Sequence, residues 1–139
     1  MPQPELLSDL RTIVGERGLV TGDAVRARAS SSWLGAVEAQ VLVRPSTTAE
    51  GSQVLALCNA RSQAVVPHGG LTGLVHGATA GPDEIILSLE WLNSIERVDV
   101  AGRTMRVQAG VQLQRVQEAA DQQDLLFPLD LGARGSATI

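Results

Sequence analysis

Apolar residues recur at helical spacing near the start of the chain. Leu6, Leu7, Leu10, Ile13 and Val14 share one face, which predicts an amphipathic helix over 4–17 that Gly18 ends. Residues 19–40 carry no sustained period and are expected to be irregular, with Ser30-Ser31-Ser32 ahead of Trp33-Leu34-Gly35. Val41-Leu42-Val43 reads as a short strand closed by Arg44-Pro45. A second helix opens at Ser46-Thr47-Thr48-Ala49-Glu50, where Thr47 and Glu50 have the spacing of a capping box. Val54, Leu57, Cys58 and Arg61 follow at helical spacing, and Ala64-Val65-Val66 returns to a strand. Strand, helix, strand over 41–66 predicts a right-handed crossover and parallel pairing.

The period changes further on. Gly81-Pro82-Asp83 punctuates the chain and Glu84-Ile85-Ile86-Leu87-Ser88-Leu89 reads as another strand. Ile95, Val98 and Val100 suggest a strand, Ala101-Gly102 a turn, and Met105, Val107 and Ala109 alternate with Thr104, Arg106 and Gln108. That pattern predicts an antiparallel hairpin. Gly110 breaks it, and 111–123 resumes a helix with Leu113, Val116 and Ala120 inward. One crossover unit followed by hairpin alternation reads as α+β in two small lobes. The expected division is a lead-in helix and irregular stretch over 1–40, a first lobe over 41–80, and an incomplete second lobe over 81–139. It is incomplete because the chain stops inside a second glycine-containing stretch, Gly132 to Ile139, which reads as a fragment of a longer protein.

Composition narrows the function. The chain has 139 residues, 44% hydrophobic and 19% charged, enough to fold around a core. A net charge of −4 and three aromatics, Trp33, Trp91 and Phe127, argue against a nucleic-acid partner. Cys58 is alone, so neither a disulfide framework nor a cysteine metal cluster is available, and it is expected in the core of the second helix. No apolar run reaches the ~18 residues of a membrane span. The first residues lack the pattern of a secretory signal, so the expected compartment is the cytoplasm, with peripheral membrane association left open.

The candidate chemistry lies in Pro67-His68-Gly69-Gly70-Leu71-Thr72-Gly73-Leu74, with Gly77 just beyond. Glycines permit positive φ and the close approach of a ligand to the main chain. Successive N–H groups in such a loop make an anion cradle, and the Thr72 hydroxyl adds a donor. The stretch therefore reads as a phosphate or pyrophosphate holder, with a tight strand-to-strand connection as the plain alternative. It is no P-loop, because the chain has no lysine, all eleven of its basic residues being arginine. The missing lysine equally excludes a Schiff base to pyridoxal phosphate. Nor is it a Rossmann turn, since its spacing is Gly-Gly-x-Thr-Gly and a strand, not a helix, comes next.

Five blocks carry a resemblance: Arg44-Pro45-Ser46-Thr47-Thr48-Ala49-Glu50, Pro67 to Leu74, Asp83 to Ser88, Val107-Gln108-Ala109-Gly110-Val111, and Phe127 to Ser136. In this order they resemble the FAD-binding domain of the vanillyl-alcohol-oxidase/PCMH flavoprotein superfamily. Within it they are most similar to FAD-linked 2-hydroxy-acid dehydrogenases of the D-lactate, glycolate and D-2-hydroxyglutarate type, and Pro128-Leu129-Asp130-Leu131-Gly132-Ala133 points at the last of these. The resemblance implies a PCMH-type α+β fold. It implies FAD, with the pyrophosphate against Gly69, Gly70, Leu71, Thr72, Gly73, Gly77 and Ala78, and the flavin side lined by Asp130, Gly135, Ala137 and Thr138. It also implies a small 2-hydroxy-acid substrate and a second large domain bearing the catalytic groups, absent from this chain. Relatives with covalent flavin carry a histidine directly after the Gly-Gly pair; Leu71 stands there, which implies non-covalent FAD.

Plainer roles are expected for several residues. Two histidines without nearby cysteine or paired carboxylates make no metal site, so His68 and His76 are expected as surface or loop residues. Asp130 is expected to hydrogen-bond in a turn rather than act as a base, and no residue here is assigned as the catalytic base. The expected function is the FAD-binding part of an enzyme oxidising a D-2-hydroxy acid. The alternative is a truncated, non-catalytic relic of the fold or an interaction module.

Overall fold

Val41, Leu42 and Val43 are all buried, and so are all four residues of Ile85–Ser88. Strands so continuously apolar belong where both faces of a sheet are covered. In the computed structural model, which describes residues 4–29 and 37–139, both lie inside one four-stranded sheet. The elements run α1 (Pro4–Gly18), β1 (Leu19–Thr21), α2 (Asp23–Ala29), β2 (Val41–Val43), α3 (Thr48–Ala60), β3 (Val65–His68), β4 (Ile85–Ser88), β5 (Ile95–Asp99), β6 (Thr104–Val107) and α4 (Leu113–Asp121). The sheet order is β1-β2-β4-β3, with β1 antiparallel to β2 and the other pairs parallel. β5 and β6 form a separate antiparallel hairpin, with a register shift between Ile95 and Arg97.

Alternation along the strands divides the core between the two faces of the sheet. Val41, Val43, Ile85 and Leu87 pack with Leu6 and Leu10 of α1 and Val54 and Cys58 of α3. Leu42, Val66 and Ile86 face the other way, onto Val25 of α2, Val37, Ala39 and Ala80. α1 is interrupted at Gly15, whose φ of 70° and ψ of 174° are open to glycine at no steric cost. Thr47 caps α3 by accepting from Glu50 N–H at 3.1 Å. The Glu50 carboxylate reaches back to Ser46 N–H at 2.7 Å, one residue earlier than a capping box places it.

Three sequence expectations change. Residues 19–29 are not irregular but form β1 and α2; Ser30 to Gly35 lie outside the described residues. The 41–43 and 64–66 strands are parallel members of one sheet, yet not neighbours, because β4 lies between them. β4 therefore belongs to the first sheet, and a lobe boundary at residue 81 is incompatible with its pairing to β2 and β3. Hydrophobic pattern identifies a strand but not its partner, and the glycine stretch that looks like a boundary is the connection by which the chain re-enters the sheet.

Candidate functional site

β3 ends at His68, held in register with Ser88 of β4, and the glycine loop starts at the next residue. His68 is buried, 3% exposed, on the same face as Val66. It is therefore not the surface or loop histidine expected from sequence. Its Nε2 lies 2.7 Å from the Ala78 carbonyl oxygen, which only accepts, so Nε2 carries the proton. Burial pushes its pKa below the usual histidine value, outweighing the opposing effect of that hydrogen bond. The far end of the loop is fixed next door, where Ala80 O accepts from Glu38 N–H at 3.1 Å and Ala39 N–H at 3.2 Å.

Between these anchors the loop is open. Among the described residues, no protein acceptor takes the backbone N–H of any residue from Gly69 to Gly77. Gly70, Leu71 and Thr72 are half-buried and the rest of the run is exposed, so these donors are open to solvent or to a bound acceptor. The loop borders a cavity of about 260 Å³ lined by Gly69, Gly70, Leu71, Thr72, Gly73, Val75, Gly77, Ala78 and Thr138. The loop glycines do not use positive φ. The left-handed positions are Leu71, φ 55°, and His76, φ 60°.

What Gly70 supplies is proximity. A Cβ there would overlap the Ser136 carbonyl oxygen, which is backbone and has no rotamer with which to yield. At Gly69 a Cβ would meet Thr138 Oγ1 at 2.5 Å, a side-chain atom that can rotate away. Gly73 and Gly77 have nothing within 4 Å. The first glycine loop thus rests against the second, residues 134–139. That second loop is clamped to α4: Ala137 O and Arg134 O accept from Leu113 N–H (2.9 Å) and Gln114 N–H (3.0 Å), capping a helix whose Gln112 side chain makes no cap. On the other side of the seam lies a second cavity of about 260 Å³, bordered by Gly69, Gly70, Glu90, Asn93, Gly110, Gln112, Arg115, Ser136 and Thr138.

Of the residues expected at the site, Gly69, Gly70, Leu71, Thr72, Gly73, Gly77, Ala78 and Thr138 line one cavity. Ala137 meets Gly70 at the seam, while Gly135 lies beside Gln114. Asp130 lies apart, exposed and paired with Arg134 at 3.2 Å. The hydrogen bond from Arg134, then that from Gln117, holds its carboxyl below the usual range. Ser136 and Gly110 also border the site, although the sequence marks neither as a binding residue; both occur in the matching blocks. A larger, mainly apolar cavity of about 490 Å³, lined by residues that include Val98, Met105, Val107, Val116, Leu126 and Phe127, meets the second loop only at Ile139 and the first not at all.

A family model described as an FAD binding domain matches residues 39–139. The chain belongs to that FAD-binding family. The matched residues span both glycine loops, and FAD is the cofactor. The chain is 39% identical over 137 residues to D-2-hydroxyglutarate dehydrogenase of Danio rerio, covering 97% of this chain and 26% of that one. It is 45% identical over 95 residues to D-2-hydroxyglutarate dehydrogenase of Xanthomonas citri pv. viticola, covering 68% and 20%. The chain thus spans about a quarter of the length of such curated relatives. In structure it resembles alkyldihydroxyacetonephosphate synthase (TM-score 0.83, 16% identity, 99% of this chain and 30% of that one). It also resembles p-cresol methylhydroxylase (TM-score 0.76, 17% identity, 96% and 27%). At these identities the likeness is one of fold: α+β, of the PCMH type.

Proposed function

We propose that this chain is the FAD-binding part of an oxidoreductase that converts a D-2-hydroxy acid to its 2-oxo acid, with the cofactor held non-covalently. The observation that carries the reading is the run of unpaired N–H groups from Gly69 to Gly77, seated against a second loop that leaves no room for a Cβ at Gly70. A pyrophosphate supplies the acceptors that run lacks. Leu71, Thr72, Gly73, Gly77 and Ala78 shape the cradle; Thr138 closes it, and Ala137 supports it from the second loop. Thr72 adds a hydroxyl that makes no hydrogen bond within the protein among the described residues. Asp130 and Gly135 contribute indirectly, through the shape of the second loop. Leu71 offers no atom for a bond to flavin.

The chemistry FAD supplies when bound is acceptance of a hydride from the substrate's α-carbon. The part of this chain is to grip and orient. The groups that bind the hydroxy acid and take its hydroxyl proton belong, in this reading, to the three-quarters of the relatives' length not matched here. The apolar groove by Leu126, which is 84% exposed, supports further protein packing against this piece. No helix among the described residues is long and apolar enough to cross a membrane. The names of several relatives include "mitochondrial"; for this chain we keep the cytoplasm as the proposal.

The test is an FAD titration of the 139-residue chain, followed by flavin fluorescence, with FMN and ADP as competitors. Saturable FAD binding, competed by ADP and not by FMN, is expected. A chain that binds no FAD under conditions where it is folded is the non-catalytic relic instead.

A further inference from the structure

Resting on the reading of Gly69 to Gly77 as the pyrophosphate cradle, we infer that His68 is a positioning residue for the cofactor. Its Nε2–H···O=C bond to Ala78 is a latch that closes the loop whose residues line the cradle cavity. The geometry is specific. His68 is fixed on one side by β-pairing to Ser88 and by Leu89 N–H donating to its carbonyl at 2.9 Å. Ala78 is the last loop residue lining the cavity. The bond between them, at 2.7 Å, spans ten residues and ties the exit of the loop to its entrance. Between His68 and Ala78, the one backbone hydrogen bond that a loop residue makes among the described residues is His76 O accepting from Thr79 N–H at 3.1 Å, at the exit.

Without the latch, residues 69–77 would connect two anchored ends with almost nothing to order them. Ordering such a segment on binding costs conformational entropy, about 1–2 kcal/mol per residue fixed. A latch made beforehand removes part of that cost. The imidazole is otherwise hard to explain. It occupies the buried face that Val66, Ala80 and Ile86 make apolar, where a polar ring is tolerated only with a partner. A valine or leucine would serve packing alone; what His68 adds is a donor directed at the loop.

The experiment compares wild type, His68→Leu and His68→Gln in the same 139-residue chain. Leucine keeps the volume and loses the donor. Glutamine places an amide N–H close to where Nε2–H lies. Two readouts are taken: backbone order of residues 69–78 without FAD, from 15N relaxation, and the FAD dissociation constant by flavin fluorescence. Expected for His68→Leu are greater backbone mobility confined to the loop and FAD binding about tenfold weaker, the loss of one hydrogen bond. His68→Gln restores both. Should leucine leave loop order and affinity unchanged, or glutamine fail to rescue in a folded protein, the latch is wrong while the cradle stands. If His68→Leu does not fold, the glutamine variant decides: wild-type loop order and affinity support the donor role, and loss of either overturns it. If wild type itself binds no FAD, the cradle reading fails, and the latch loses its role with it.

Discussion

Gly70 and Gly73 stand in one loop, and the fold asks different things of them. Gly70 must let the Ser136 carbonyl approach; Gly73 has open space and an ordinary φ. Gly70→Val is therefore expected to abolish FAD retention and Gly70→Ala to weaken it by well over tenfold, whereas Gly73→Ala meets no protein atom and weakens FAD only as far as its methyl meets the pyrophosphate. Thr72→Val falls between, losing a hydroxyl donor to a charged group worth about 1.5–3 kcal/mol. Flavin absorbance per protein after gel filtration measures all four; a Gly70→Val protein that keeps stoichiometric FAD would remove the seam from the site. His68 adds a pH signature. Burial lowers its folded-state pKa, so the unfolded chain takes up the proton first as pH falls. Its contribution to stability is present in full above the ordinary value of 6.5 and is lost as pH falls from there through the lowered folded value. Urea midpoints measured from pH 8 to 5 should decline on the acid side in wild type, and less steeply in His68→Gln.

At the scale of elements, α3 gives the plainest test. Thr47→Ala removes its cap and should lower stability by about 1 kcal/mol, read as a shift in urea midpoint at constant m-value. Glu50 keeps its bond to Ser46, so the helix should persist in the variant. α3 was also legible in the sequence, because Thr47, Glu50, Val54 and Cys58 supply a start signal and a buried face. The β5–β6 hairpin and α4 were legible for the same kind of reason: Met105 and Val107 alternate, and Leu113, Val116 and Ala120 recur at helical spacing. β1 and α2 were not, because three residues and seven residues are too short for any period to repeat. Within the site, the glycine loop announced itself by residue type. The burial of His68 did not, since a histidine after a proline at a strand end looks like a loop residue. The positive φ at Leu71 and His76 had no signal at all, as neither residue type favours it.

For the whole molecule, the prediction concerns turnover. Purified as 139 residues and saturated with FAD, the chain should reduce no dye with D-lactate, glycolate or D-2-hydroxyglutarate beyond the rate of free flavin. It grips the cofactor and presents no assigned base. Clear turnover from the pure chain would show that the catalytic groups lie within these residues after all. The sheet order carries a different consequence, about time. A ribosome makes β2, then α3, then β3, yet β2 and β3 never touch; each waits for β4, which is made last and slides between them. Until Ser88 has left the exit tunnel, the three strands have no parallel pairing among them. The glycine loop is the stretch that must swing β4 into that gap. A nascent chain halted before residue 85 should thus carry helices but no parallel sheet, and the cofactor cradle, which needs Ser136 and Thr138 against it, should be completed later still.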